Sequence, residues 1–72
     1  MLDEDEQIAD RVRGLAAERR ATQDAIASIL RISRKSVSAR MTGSIPFAGA
    51  ELLLLSRAWG VPISRFYPEA AA

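Results

Sequence analysis

Apolar residues recur along this chain with the spacing of a helix rather than that of a strand. The first stripe consists of Ile8, Val12, Leu15 and Ala16. These positions fall at i, i+4, i+7 and i+8, which places them on one helical face. We therefore predict a first helix from about Asp3 or Glu4 to Arg20. The acids at its start and the arginines at its end complement the helix dipole.

The next two helices are short and follow each other closely. Thr22 and Ser33 belong to the residue types that cap helix N-termini. The second helix begins at Thr22 and ends near residue 30 or 31, and the third runs from Arg34 to about Met41. Gly43 is a stop signal just past the third helix. The inner faces are formed by Ile26, Ala27, Leu30, Val37 and Met41.

The C-terminal part of the chain predicts two more helices. After a loop at residues 44–46, a fourth helix runs from about residue 47 or 48 to Trp59, and Gly60 ends it. Pro62 opens a fifth helix and Pro68 stops it. We expect residues 69–72 to form a frayed tail. The residues expected to fold back on the core from the fifth helix are Ile63, Phe66 and Tyr67.

Composition leaves little room for catalytic or metal chemistry. The 72 residues suffice for one domain, and they include no cysteine and no histidine. The chain therefore lacks disulfides, thiolate metal ligands and the commonest general base. Because the apolar residues recur with helical spacing, the predicted fold class is all-α. We expect a non-enzymatic protein with no cofactor and no metal, in a reducing, cytoplasmic setting.

No segment has the pattern of a membrane span or a signal peptide. The longest apolar run, residues 52–55, is far below the ~20 residues that cross a bilayer. The acidic start lacks the positive charge and apolar stretch of a signal peptide. We expect residues 1–72 to form one domain, with an acidic segment or helix start at residues 1–7. Met1 and the alanine-rich end favour an intact gene product.

Charge is distributed unevenly along the chain, although the formal net charge is only +1. Residues 1–10 contain five acids and no cation, whereas residues 31–40 contain four cations and no acid. A cationic cluster of this kind is an electrostatic footprint for nucleic-acid phosphates, or else a solvated helix face. The acidic run is a well-capped helix start, or else a segment that repels phosphates or binds a partner.

A series of short motifs lies in order between about residues 12 and 66. The motifs are Thr22-Gln23, Ile26-Ala27, Ile32-Ser33, Ser36-Val37-Ser38, Gly43, Leu52-Leu53, Leu55 and Gly60-Val61. Together, and in this register, they resemble the helix-turn-helix family of phage repressors and Cro proteins, the xenobiotic-response-element group. Pro46-Phe47 and Glu51-Leu52 are similar to a variant found in actinobacterial and phage regulators. The resemblance implies a five-helix, lambda-repressor-like DNA-binding domain with a helix-turn-helix in helices 2 and 3.

Three positions depart from the family's pattern without breaking its register. Arg31 stands where the turn between helices 2 and 3 usually has glycine, so a left-handed backbone there would cost roughly 1 kcal/mol. Arg40-Met41 replaces an apolar residue followed by glutamate. Ala48 stands where a capping serine or threonine is expected.

The resemblance also assigns roles to individual residues. In this family the first residues of helix 3 reach base edges in the major groove, which implies that Arg34 or Lys35 reads guanine. By position the base-reading residues are Arg34, Lys35, Ser36, Ser38 and Ala39. The residues expected at DNA phosphates are Gln23, Arg31, Arg40, Thr42 and Ser44. A purely phosphate-binding role for the two cations is the alternative.

Partners follow from the same resemblance. Family members pair as two-fold dimers on half-sites about 34 Å apart, so we expect a palindromic or pseudo-palindromic operator in double-stranded DNA and a homodimer at least on DNA. Leu54 stands where the family usually has a polar residue. We hypothesise that Leu54 forms a small self-contact with Ile63 or Tyr67; a scattered exposed leucine is the alternative.

Three functions compete at this point. The leading hypothesis is a sequence-specific transcriptional regulator, of the phage Cro type or a short immunity repressor. The second is an antitoxin or adaptor that uses the same fold mainly to hold a protein partner, and Arg34-Lys35 argues against it. An enzyme is the weakest hypothesis, because no histidine, cysteine or phosphate-binding loop is present.

Overall fold

Four α-helices and one 3₁₀ helix make up the structure, a computed structural model that describes residues 3–68. The α-helices are α1 (Glu4–Arg19), α2 (Gln23–Leu30), α3 (Arg34–Met41) and α4 (Gly49–Trp59). The 3₁₀ helix spans Ile63–Phe66. No strand occurs between residues 3 and 68, so the all-α prediction is confirmed. The tail predicted at residues 69–72 lies outside the described residues.

Three of the four α-helices begin at side-chain caps, and the caps at Thr22 and Ser33 were predicted from the sequence. The Asp3 carboxylate accepts a hydrogen bond from the Glu6 amide at 2.8 Å. The Thr22 hydroxyl accepts one from the Ala25 amide at 3.0 Å, and the Ser33 hydroxyl accepts one from the Ser36 amide. Each cap satisfies an amide that has no partner inside its own helix. The predicted helix starts are therefore correct to within a residue or two.

Left-handed residues end α1, α2 and α4. Arg20 has φ 54° and Arg31 has φ 58°, while glycine occupies the equivalent position after α4. The backbone at Arg31 is thus left-handed, in a residue type that adopts this conformation only at a cost. It allows a connection of only three residues between α2 and α3.

One core joins all of these elements. α2 packs against α3 and α4, and α1 packs against α3 and the 3₁₀ helix. The largest fully buried side chains are Phe66, Ile26, Leu52, Leu55, Val12 and Val37. Trp59 is only half-buried and lies at the edge of this core, where its ring stacks near that of Phe66 with centroids 6.3 Å apart. No helix among the described residues is long and apolar enough to cross a membrane.

The predicted fifth α-helix is wrong. Residues 63–66 form a single 3₁₀ turn. Pro62 and Pro68 bracket only five residues, which is too short a stretch for i to i+4 bonding to compete. Of the three side chains expected to fold back, only Phe66 is buried, whereas Ile63 and Tyr67 are exposed.

Candidate nucleic-acid interface

The third helix has the fewest buried residues of the α-helices. Val37 is its only fully buried residue. Met41, one turn later on the same face, is half-buried against the core. Helical geometry places Lys35 and Ala39 on the opposite face. Arg34 and Ser38 then lie along one edge of α3, between the buried and the outward face.

Neighbouring elements brace this helix from behind. α2 and α1 pack against it directly. Arg13 of α1 donates a hydrogen bond to the Met41 carbonyl at the end of α3. Arg40 Nε lies 3.0 and 3.1 Å from the two carboxylate oxygens of Glu51 on α4. Contacts with α1, α2 and α4 therefore fix the direction in which α3 presents its free face.

Three cations cluster at the start of α3 and in the turn before it. Arg34 and Lys35 are the first two residues of the helix, and Arg31 lies in the turn; all three are exposed. Within residues 3–68 no ion pair or side-chain hydrogen bond engages Arg31 or Lys35. Arg34 is 69% exposed and lies 3.8 Å from the Asp24 carboxylate, measured from Nε to Oδ1. No spacing rule relates Asp24 to Arg34, because the two residues belong to different helices.

The smaller residues predicted to read bases have mixed surroundings. The hydroxyl of Ser33 donates to the hydroxyl of Ser36 at 3.0 Å, so Ser36 already has a partner at the helix start. Ser38 and Ala39 are half-buried. The Ala39 carbonyl accepts from the amides of Ser44 and Ile45 in the following loop. This loop lies beside the exit of α3 and limits the free face to the first turn and a half.

The residues predicted at phosphates do not all lie in equivalent places. Gln23 is the first residue of α2, half-buried, at a helix start whose amides attract anions. Arg31 lies at the other end of α2. Arg40 is turned inward: it pairs with Glu51, its Nη1 donates to the Ser36 carbonyl at 3.1 Å, and its side chain is 18% exposed. A phosphate contact by Arg40 remains a prediction that requires this ion pair to open.

Acidic residues lie close to the remaining two phosphate candidates. The hydroxyls of Thr42 and Ser44 are 3.2 Å apart and hydrogen-bonded to each other. A Cβ added at Gly43 would lie 3.5 Å from Cγ of Glu6, so the start of α1 contacts this loop. The acidic first turn of α1 therefore borders the exit of α3, where it opposes the approach of a phosphate.

The candidate dimer residues are exposed, as the self-contact hypothesis requires. Leu54, Ile63 and Tyr67 have 40, 38 and 42% of their surface exposed. Two further large apolar side chains, Ile45 and Leu53, are equally exposed and were not anticipated. Exposure alone does not test a dimer, and these residues remain a prediction.

Other chemistry has little support among residues 3–68. No group of three or more histidine, cysteine, aspartate or glutamate side chains is placed to hold a metal ion in that range. An open cleft of about 240 Å³ lies between α1 and the 3₁₀ helix. Its lining consists of Asp10, Arg11, Gly14, Leu15, Glu18 and Arg65. Four of these six side chains are charged, and two of the charges, Glu18 and Arg65, pair across the cleft at 3.7 Å.

Comparison with known structures identifies the fold. A transcriptional regulator from Listeria innocua has a crystal structure that matches this chain with a TM-score of 0.80 and 20% sequence identity. The two proteins share a fold. The match covers 92% of this chain and 62% of the other, so this chain spans less than two thirds of the Listeria protein. No protein-family model matches the chain, and no curated protein matches it in sequence.

Proposed function

We propose that this protein is a sequence-specific transcriptional regulator that inserts α3 into the major groove of double-stranded DNA. The observation that carries the proposal is the pair of exposed cations, Arg34 and Lys35, at the start of a helix whose other face is braced by the rest of the domain. An α-helix with its side chains is about 10 to 12 Å in diameter, so it fits into a major groove about 12 Å wide. The likeness to the Listeria regulator supports the same function.

In this proposal α2 and α3 form a helix-turn-helix unit of the phage repressor and Cro type. α3 presents Arg34, Lys35, Ser36, Ser38 and Ala39 to base edges. Gln23 and Arg31, at the two ends of α2, contact phosphates and set the position of the helix on the duplex. An arginine that bonds guanine O6 and N7 discriminates by about 1 to 3 kcal/mol.

Two protomers are proposed to bind a palindromic operator. One eight-residue helix contacts too few base pairs for regulation, and exposed Leu54 offers an apolar self-contact. If six phosphates are neutralised per dimer, log K falls with log salt with a slope of about −5.

Footprinting on the intergenic DNA beside the protein's own gene tests the proposal. The wild type should protect a two-fold site. Arg34→Ala should lose the selectivity but keep weak, salt-sensitive binding. No protection by the wild type at low salt would contradict the proposal and favour a domain that mainly holds a protein partner.

A further inference from the structure

We propose that Asp24 is a positioning residue that holds Arg34 for guanine recognition, so that Arg34 rather than Lys35 reads the base. This inference rests on the proposed function. Its starting observation is the 3.8 Å separation between Arg34 Nε and Asp24 Oδ1, across the junction of α2 and α3. Both side chains are largely exposed, at 69 and 74%, so a core-packing role explains neither.

The contact joins two well-anchored backbones. Asp24 lies in the first turn of α2, directly after the capped start at Thr22. Arg34 is the first residue of α3, directly after the cap at Ser33. Because α2 and α3 pack against each other, the backbones of Asp24 and Arg34 have a fixed position relative to each other. The short Asp24 side chain therefore keeps its carboxylate within reach of the arginine.

The atom that faces the carboxylate matters for recognition. Asp24 lies nearest to Nε of Arg34. The two terminal nitrogens of the guanidinium, which form its outer fork, remain available to donate to guanine O6 and N7. Restricting a flexible arginine before binding lowers the entropy lost on contact with the base. The geometry thus prepares Arg34 for a bidentate contact.

Lys35 has no such restraint within residues 3–68, since no acid or side-chain acceptor pairs with it. An unrestrained ammonium acts as a point charge and suits phosphates better than the planar edge of a base. The three cations clustered at the start of α3 thus divide into one oriented side chain, Arg34, and two free ones, Arg31 and Lys35. This division assigns base reading to Arg34 and phosphate binding to the other two.

An acid at a DNA-binding surface also has a cost. The Asp24 carboxylate repels the duplex and weakens binding to every sequence. If its role is to orient Arg34, it exchanges general affinity for discrimination between sequences. Removal of the carboxylate should therefore strengthen non-specific binding and weaken discrimination, two changes of opposite sign.

The experiment uses the full chain and duplexes of known sequence. The wild type first selects its preferred sequence from a library of random 20-base-pair duplexes. Four duplexes are then made that differ at one base pair only, the guanine pair at which Arg34→Ala loses its preference. A duplex without the site measures non-specific binding by fluorescence anisotropy. Asp24→Asn should bind the duplex without the site more tightly than the wild type does. Its discrimination among the four duplexes should be about two- to fivefold lower than that of the wild type. Asp24→Glu should recover part of the discrimination.

Glu18→Gln is the matched control, because it removes the same charge from an exposed ion pair between α1 and Arg65 of the 3₁₀ helix, away from α3. It should leave discrimination unchanged. In an Arg34→Ala background, Asp24→Asn should have no further effect on discrimination, as a coupling between the two residues requires. Circular dichroism confirms that each variant is folded.

Two failures are distinguishable. If the wild type selects a sequence and Asp24→Asn discriminates as well as the wild type, the positioning role is wrong while the proposed function stands. If the wild type selects no sequence, the proposed function is wrong and the role of Asp24 falls with it.

Discussion

Replacing Arg31 with glycine should stabilise the protein and weaken its binding to DNA at the same time. Arg31 has φ 58°, a left-handed conformation that costs an L-residue with a Cβ roughly 1 to 2 kcal/mol. Glycine avoids that cost but loses about 0.5 to 1 kcal/mol through the greater freedom of its unfolded chain. The net gain in unfolding free energy is about 0.5 to 1 kcal/mol, which corresponds to about 2 to 8 °C in Tm for a domain of this size.

The same substitution removes one proposed phosphate contact per protomer. With two protomers on the operator, the magnitude of the slope of log K against log salt should fall by about 2. Arg31→Ala is the control: it loses the charge but keeps the Cβ, so it should reproduce the change in slope without the gain in stability. Urea unfolding and DNA titrations at several salt concentrations measure the two effects separately.

Each half of this reasoning can be refuted. Equal stabilities of Arg31→Gly and Arg31→Ala would show that the left-handed conformation is not costly here. An unchanged salt slope in both variants would show that Arg31 does not contact phosphate.

Three other perturbations test separate parts of the structure. Glu51→Gln breaks the half-buried pair with Arg40 and should lower the unfolding free energy by about 1 to 3 kcal/mol. Asp10→Asn, in an exposed pair, should change the unfolding free energy by less than about 0.5 kcal/mol. Equal effects of the two substitutions would contradict a bracing role for Glu51. Leu54→Glu should leave the protein folded but abolish cooperative operator binding. Sedimentation with and without operator measures this, and unchanged cooperative binding would contradict the self-contact. Glu6→Gln should strengthen DNA binding at low salt, because Glu6 lies beside the loop after α3; unchanged binding would show that the acidic start of α1 does not face the duplex.

Local patterns predicted the helices because local interactions specify them. Thr22 and Ser33 were predicted as caps and accept the expected hydrogen bonds. The third helix was predicted at Arg34 to Met41 and has those bounds. The resemblance to a family with glycine at that position raised a left-handed Arg31 only as a condition, and its φ of 58° shows that the condition holds.

One missed feature is local. Glu51 stands three residues after Ala48, and its carboxylate accepts from the Ala48 amide at 2.8 Å, which gives that amide a partner at a helix start that lacks a capping side chain. The other missed features depend on contacts between elements. The same carboxylate turns Arg40 inward. No spacing rule relates residues 40 and 51, because the loop between α3 and α4 decides their approach. The pairing of Asp24 with Arg34 was missed for the same reason.

The fifth helix shows a different limit of sequence reasoning. The prolines at both ends mark its boundaries, as predicted, but only five residues separate them. A segment this short adopts whichever turn lets one large side chain, Phe66, reach the core. Its neighbours Ile63 and Tyr67 remain outside.

Protection of guanine N7 from methylation by dimethyl sulfate tests the central claim most directly, because N7 is accessible only from the major groove. With the wild type bound, we expect one guanine in each half-site to be protected, with its protection lost in Arg34→Ala and kept in Lys35→Ala. A bound complex in which every guanine N7 reacts as in free DNA would contradict the insertion of α3 into the major groove.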